Sequence, residues 1–519
     1  MSRTRTASIT LIAVAVSIVI ASAQQASVDT AFKQFWDAKD PNDAARAVNT
    51  IVASGIKFDD ALARLKKGRT YAADVPTGVV RLSRKTPEAE FGYSLDVPPT
   101  YDPARKYQVR FQLHGGISRP DPSVRGNGSI GSLAGVEQIY VLPLSWAEAP
   151  WWGGLQIGNL RAILDSVKRT YNVDENRVVL SGVSDGGTGT YYIAMRDTTP
   201  YASFLPLNGF MMILQNPSLG LTEELFPNNL LDKPFFVVNG GQDPLYPTAI
   251  VEPYVKHLEK GGVTVSYHPQ PNAVHNTAWW PEVKDTYETF VSNHPRDPHP
   301  ATLTWAAEAG VATRAHWLVL DAVAPDSRNE APLKDLNDFE AGAEPNFGVR
   351  AAGMHVTTVL PGSNADAFGL KAGDLVLGIN GRMLPDALSL LQFLSIYEGG
   401  EKLTLSVSRE GKTVELSGVY KPEVLTRLVP LFGRPRPWGR VDLARKGNTV
   451  TATARGVEAF TLLASPDVFD FSAPITVVAN GRQVFSGRVQ KSVPTLMKWA
   501  AIDNDRTMLY GAEIHVKVQ

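Results

Sequence analysis

The chain has 519 residues, 44% hydrophobic and 20% charged, the composition of a soluble globular protein and not of a disordered or fibrous one. Lys and Arg total 51 against 52 Asp and Glu, so no global field favours nucleic acid or an anionic membrane, and neither is expected as a partner. The absence of cysteine excludes disulfides, thiolate metal sites and a Cys nucleophile.

At about 150 residues per domain, this length predicts three or four domains. Arg3 and Arg5, an apolar run from Ile9 to Ile20 and the small-x-small Ala21-Ser22-Ala23 read as a signal peptide over 1–23. The run is shorter than the roughly 20 residues of a spanning helix. An exported protein, periplasmic or secreted, is expected, without stable membrane insertion; an uncleaved anchor is the other reading. Residues 24–77 form a helical prefix. Phe32, Phe35 and Trp36 cluster, Val48, Ile51 and Val52 follow, and Lys66-Lys67-Gly68 is a basic last turn with a glycine stop.

From 78 to 297 strands alternate with helices. Strands are expected at Tyr107–Leu113, Gln138–Leu142, Arg177–Gly182, Ser203–Leu207, Phe235–Asn239 and Val263–His268. Ile157, Leu160, Ile163, Leu164 and Val167 recur at helical spacing, and Val251–Leu258 gives another helix. This pattern predicts an α/β domain, a mostly parallel sheet covered on both faces, with chemistry at the carboxyl ends of its strands. Residues 298–339 hold two strands, Thr302–Trp305 and His316–Val323, and the start of the polar linker Pro325–Pro345. A compact module occupies 340–425. Strands return over 426–519 at Thr449–Ala454, Ile475–Ala479, Gln483–Val489 and Ile514–Val518, with a helix carrying Leu496 and Trp499. Asn480-Gly481 is a hairpin signal. Two strands before the module are too few to bury a face, so their partners are expected beyond it, with the module inserted in a β-rich region.

The stretch "VVLSGVSDGGTG" from Val178 to Gly189 sets Ser184 between glycines where a buried strand ends. A strand that reverses into a helix needs glycines for close backbone approach, and the serine at the tip is held clear of the sheet. Loop composition alone also produces such a pentapeptide. A serine hydroxyl needs a base, a group that orients the base and donors for an oxyanion. Asp243 follows the strand Phe235–Asn239 in "GGQDP", and His275 sits in the loop after the next strand, giving the order serine, acid, histidine. His268 competes as base, but it falls within a strand ahead of two prolines. His114-Gly115-Gly116 ends an early strand, and the amides of Gly116 and Asp185 are the expected oxyanion hole, with His114 bracing the turn. Asp and Glu show no metal-ligand spacing, so no metal and no cofactor is expected.

With "LHGG", "GVSDGG", "NGGQDPLYP" and "NAVHNTAWW" in this order, residues 78–295 resemble an α/β-hydrolase of the phospholipase/carboxylesterase and feruloyl-esterase-like kind. The resemblance implies a Ser184–His275–Asp243 triad and acyl transfer to water through an acyl-enzyme. Here HGG is followed by Ile117, where some lipases extend the glycine run. "NFGVR" and "PGSNADAFGLKAGDLVLGINGR" over 346–420 resemble a bacterial PDZ domain. That resemblance implies that Phe347, Gly348 and Val349 hold the carboxylate of an extended peptide by strand addition; a spacer role is the alternative. Trp146, Trp151, Trp152, Tyr191, Tyr192, Trp279 and Trp280 are expected to line an acyl pocket or a sugar-binding rim, unless they serve core packing. The reading is an exported serine esterase acting on small or polymer-linked carboxylic esters. Its rivals are a serine peptidase of the prolyl-oligopeptidase kind and an inactive hydrolase-fold scaffold that binds peptide or glycan.

Overall fold

The computed structural model describes residues 26–118, 128–311, 313–324, 334–341, 347–421 and 427–518. The expected signal peptide and most of the linker 325–345 lie outside the described residues.

Eight strands build the largest sheet. They are β1 (Gly78–Lys85), β2 (Glu90–Val97), β3 (Tyr107–Leu113), β4 (Ile139–Pro143), β5 (Val173–Val183), β6 (Ser203–Leu207), β7 (Phe235–Gly240) and β8 (Val265–Gln270). Their spatial order is β1-β2-β4-β3-β5-β6-β7-β8. β2 runs antiparallel to β1 and β4, and every later neighbour is parallel. β6 and β7 are buried at every residue, because helices cover both faces. Helix Gly154–Thr170 turns Leu160, Ile163, Leu164 and Val167 inward on one stripe and places Lys168 and Arg169 at its carboxyl end, where the helix dipole favours cations. This is the α/β-hydrolase fold. The edge hairpin β1–β2 has no counterpart among the sequence expectations, because β1 is polar and mostly exposed and carries no buried period.

Downstream lie β9 (Thr302–Glu308), β10 (Thr313–Ala315), β11 (Leu318–Val323) and β12 (Asp338–Ala341). Next come β13 (Val349–Ala352), β14 (His355–Val359), β15 (Leu375–Ile379), β16 (Arg382–Met383), β17 (Lys402–Arg409) and β18 (Lys412–Val419). The last are β19 (Arg427–Pro430), β20 (Trp438–Lys446), β21 (Thr449–Arg455), β22 (Val457–Ala464), β23 (Ile475–Ala479), β24 (Arg482–Gly487) and β25 (Ala512–Lys517). β9 pairs with β20, Leu303 opposite Leu443, and β11 pairs with β22. The sheets β24-β23-β21-β20-β9 and β10-β11-β22-β25 enclose one core containing Trp305, Trp317, Val441, Phe460 and Leu462. Asn480 and Gly481, both with positive φ, turn β23 into β24. β13 to β18 make a separate sheet with β13 at one end, next to β14 alone.

β12 and β19 form a two-stranded antiparallel stalk leading into and out of that module, Ala341 opposite Arg427. The stalk lies on helix Thr248–Gly261. Phe339 stacks on Tyr254 with ring centroids 4.6 Å apart, and His257 Nε2 lies 2.9 Å from the carbonyl oxygen of Leu336. The prefix, helical over 26–37, Pro41–Ala53 and Phe58–Lys67, shares an apolar core with helix Val493–Asp503, through Phe32, Phe35, Ile51, Leu65, Leu496 and Met497.

Charged groups are buried where the hydrolase sheet meets the sandwich. Arg296 donates to Asp505 at 2.8 Å, with both side chains fully buried. Lys233 Nζ donates to the carbonyl of Tyr201 and to His316 Nε2, while His316 Nδ1 faces the Pro298 carbonyl. Burial, with Lys233 and Arg296 alongside, pushes the His316 imidazole well below its ordinary range. Burial also pushes His299 down to about 4.

Candidate active site

Ser184 stands between β5 and helix Asp185–Arg196 with φ 58° and ψ −120°. A non-glycine residue in that region is strained, which is the signature of a sharp strand-to-helix elbow. The flanking glycines make the turn possible. A Cβ on Gly182 would sit 2.1 Å from the carbonyl oxygen of Gly186, and one on Gly186 would sit 2.4 Å from that of Leu113. Backbone bonds fix the elbow: Ser184 N–H donates to Leu207 O, and Thr188 N–H to Ser184 O.

Asp243 and His275 come from the loops after β7 and β8. These loops pack backbone to backbone, Gly241 N–H donating to Gln270 O and Gln242 N–H to Ala273 O. That approach accounts for Gly240-Gly241 ahead of the aspartate, since a Cβ on either would meet a carbonyl oxygen at 2.4 Å. The Asp243 side chain is fully buried. Its Oδ1 accepts from the amides of Leu245 and Tyr246, and its Oδ2 lies 2.6 Å from His275 Nδ1. His275 Nε2 lies 2.8 Å from Ser184 Oγ. A buried carboxylate on Nδ1 sets the tautomer in which Nδ1 carries the proton and Nε2 accepts from the serine. His268 is elsewhere. Its ring stacks on Phe236 at 4.3 Å, its Nε2 faces Ser266 Oγ, and burial lowers its pKa.

The loop after β3 reaches the same point. A Cβ on Gly115 would lie 2.7 Å from Ser184 Cβ, whereas one on Gly116 would meet nothing within 4 Å. Space is therefore open beside Gly116. Asp185 Oδ2 accepts the Ile117 amide at 2.9 Å, tying this loop to the first turn of the helix after Ser184. His114 is a brace. Its Nδ1 lies 2.9 Å from Gly115 O, its Nε2 accepts from the Ser145 amide, and its carbonyl accepts from the Trp151 indole. A cavity of about 940 Å³ opens here, lined among others by Tyr93, Gly115, Gly116, Leu133, Leu144 and Thr277.

The aromatic residues expected at this cleft are placed otherwise. Trp151, Trp152, Tyr191, Tyr192, Trp279 and Trp280 are buried core side chains. Trp146 packs against Phe91, and none of the seven lines the cavity. Trp280 and Tyr287 instead lie on the fully buried Arg110, at 4.9 and 4.6 Å. Their size made them look like pocket walls, but the two helix-covered faces of the sheet have a large core to fill.

Two residues absent from the sequence expectations hold the site. Asn208 has φ 48° at the end of β6, and its Nδ2 donates to the Asn276 carbonyl beside His275. The Asn-Gly pair at 208–209 is the one local signal for it. Tyr246 lies edge-on to the His275 ring at 5.7 Å. Burial raises its phenol pKa, with the carboxylates of Asp185, Asp243 and Asp386 adding to the shift. Asp386 belongs to the β13–β18 module, where it caps helix Ala387–Leu394 by accepting the Ser389 amide.

In that module Phe347 is buried, and Gly348 has φ +77° with no room for a Cβ against Ser363. Both carbonyls are used: Phe347 O accepts from Ala365 N and Gly348 O from Leu360 N. Val349 begins the end strand β13. Among the described residues no group of three His, Cys, Asp or Glu is placed to hold a metal ion, and no helix is long and apolar enough to cross a membrane.

The family model described as a PDZ domain matches residues 355–409. This module is a PDZ domain. The periplasmic pH-dependent serine endoprotease DegQ of Escherichia coli is 38% identical over 64 residues, 12% of this chain and 14% of that protein. A PDZ domain-containing protein of Caenorhabditis elegans is 43% identical over 65 residues, 12% of this chain and 47% of that protein. The chain thus spans about a seventh of the first of these curated relatives and just under half of the second. Among solved structures, a thermostable esterase aligns at 22% identity and TM-score 0.34, covering 42% of this chain and 63% of that one. Est1E from Butyrivibrio proteoclasticus aligns at 16% identity and TM-score 0.32, covering 42% and 99%.

Proposed function

We propose that this protein is a serine hydrolase of carboxylic esters. The observation that carries the reading is the unbroken chain from Asp243 through His275 to the Oγ of a serine in strained elbow geometry. In the forward step Ser184 Oγ bonds to the ester carbonyl carbon as its proton passes to His275 Nε2. The amides of Gly116 and Asp185 receive the oxyanion, helped by the positive amino end of helix Asp185–Arg196. The ester C–O bond breaks, and the leaving alcohol takes the proton from His275. Water then repeats the sequence on the acyl-enzyme, and Ser184 leaves with its proton restored. Asp243 orients the imidazole and balances its charge throughout.

The same reading assigns 1–23 as an export signal, in keeping with the periplasmic relatives, so the mature amino terminus falls near Gln24. It assigns Phe347, Gly348 and Val349 of the PDZ domain to a peptide carboxylate. It treats 340–425 as an insertion that interrupts the β-sandwich, for which the pairing of β9 with β20 and of β11 with β22 is the support.

A fluorophosphonate probe is expected to label the native protein and not Ser184→Ala. Ser184→Ala and His275→Ala should each lower kcat on p-nitrophenyl esters by on the order of 10³-fold or more, because triad members act as a unit. Hydrolysis of dipeptide amides in place of esters would make the protein a peptidase. A His268→Ala protein that is dead beside a fully active His275→Ala would overturn the base assignment.

A further inference from the structure

The stalk that carries the PDZ domain rests on one end of a column of rings, and the catalytic imidazole lies at the other end. Phe339 of β12 stacks on Tyr254, with centroids 4.6 Å apart and planes 14° from parallel. Tyr254 meets Phe210 edge to face at 5.4 Å, and Phe210 meets Tyr246 at 6.1 Å. Tyr246 then lies across the His275 ring at 5.7 Å and 76°. Each separation is within the range of roughly 4.5–7 Å over which aromatic rings attract.

The inner rings are tied to the catalytic residues by backbone. Phe210 is buried, and its amide and carbonyl both hydrogen-bond the Thr188 hydroxyl, in the first turn of the helix after Ser184. Beside it the chain lies against that helix, since a Cβ on Gly209 would sit 2.5 Å from the Gly187 carbonyl carbon. Tyr246 donates its amide to Asp243 Oδ1. Tyr254 stands on helix Thr248–Gly261, which begins just after Tyr246. The outer ring belongs to the insertion. Phe339 is half-buried between the exposed Asp338 and Glu340, so it is the side chain that this part of β12 turns toward the hydrolase.

His275 needs such a support. Asp243 holds it at Nδ1 and Ser184 at Nε2, which leaves the imidazole an axis through those two atoms about which to rock. A ring laid across it opposes that motion. We infer that Tyr246, Phe210, Tyr254 and Phe339 are positioning residues for the catalytic base, so that the stalk of the inserted domain is a working part of the active site. The inference rests on the esterase reading above. Proton transfer needs Nε2 within hydrogen-bond reach of Oγ in the transition state. Loss of the outer ring lets Tyr254 and then Phe210 turn into the space, and Tyr246 loses its backing. None of the four rings lines the cavity beside Gly116, so the column acts on kcat and not on KM.

The test is a double-mutant cycle in the full chain, with p-nitrophenyl acetate as substrate, below the unfolding temperature of every variant. Tyr246→Ala should lower kcat by on the order of 10²-fold and Phe339→Ala by about 10-fold, as small displacements at reacting groups do. KM should stay within about twofold of wild type in both. Phe339→Tyr keeps a ring on Tyr254 and should restore kcat. The double variant should be no slower than Tyr246→Ala alone, because the column then no longer reaches His275. If an alanine variant does not fold, Tyr246→Leu and Phe339→Leu keep the bulk, remove the ring and serve in the same cycle. Losses that multiply in the double variant, a change in KM in place of kcat, or a Phe339→Ala protein with wild-type kcat would each overturn this inference alone. A wild-type chain that cleaves no ester, or a Ser184→Ala protein that cleaves it normally, would remove the esterase reading and this inference with it.

Discussion

A methyl group on Gly115 would lie 2.7 Å from Ser184 Cβ and 3.0 Å from the Val183 carbonyl oxygen. The Val183 carbonyl is backbone and the Ser184 Cβ is fixed to it, which leaves little room to give, so Gly115→Ala must push the loop after β3 away from Ser184. Displacement of about 1 Å at reacting groups costs on the order of 10²-fold in rate. Gly115→Ala should therefore lose about that factor in kcat while thermal unfolding stays near the wild-type temperature, as kinetics and calorimetry together can check. This part of the site was readable in advance. Glycines around a serine at a strand end, then Asp and His after successive strands, follow from how a parallel sheet presents its carboxyl ends. Asn208 and Tyr246 were not readable, because each acts through a contact between loops distant in sequence.

The stalk offers the sharpest experiment on an element. Ala341 and Arg427 face each other across β12 and β19, so the chain enters and leaves the PDZ domain at adjacent points. Deleting 342–426 and joining the strands through Asn-Gly should give a two-residue hairpin. The product is expected to stay folded and to hydrolyse p-nitrophenyl esters, by size-exclusion chromatography and assay. Ending the chain after 341 should instead aggregate, because β9 and β11 lose β20 and β22 and expose their edges. If the shortened chain is well behaved and the rejoined one is not, the insertion reading is wrong. Sequence period found the central buried strands, whose runs are continuous and apolar. It passed over β1, which is polar, and β20, where Arg440 is buried amid the strand pattern. The aromatic residues misled for a related reason: composition gives the size of a side chain but not the direction in which it points.

For the molecule as a whole, the junction of hydrolase and sandwich sets the response to acid. His299 is buried, its pKa pushed down to about 4, and His316 lies lower than usual beside Lys233. The fold holds both imidazoles neutral, whereas in the unfolded chain they take protons near pH 6.5. At these two imidazoles the unfolded state therefore binds more protons below that value, and their contribution to stability falls as pH drops from about 6.5 through about 4. The Asp232 carboxyl at the same junction, which burial raises to about 8, opposes this in part. For His299 the loss is at most roughly 3 kcal/mol, at 1.36 kcal/mol per pKa unit. His299→Phe should flatten the urea midpoint across this window in part, with His316 supplying the remaining slope; an unchanged profile would exclude His299 as a source. The split sandwich has another consequence, in time. Leu303 in β9 faces Leu443 in β20, and the whole PDZ domain is made between them. At about 5–20 residues per second, a ribosome takes on the order of ten seconds to supply the partner strand. During that interval β9 is an unsatisfied edge, and a nascent chain in this state is a natural client for a holding chaperone.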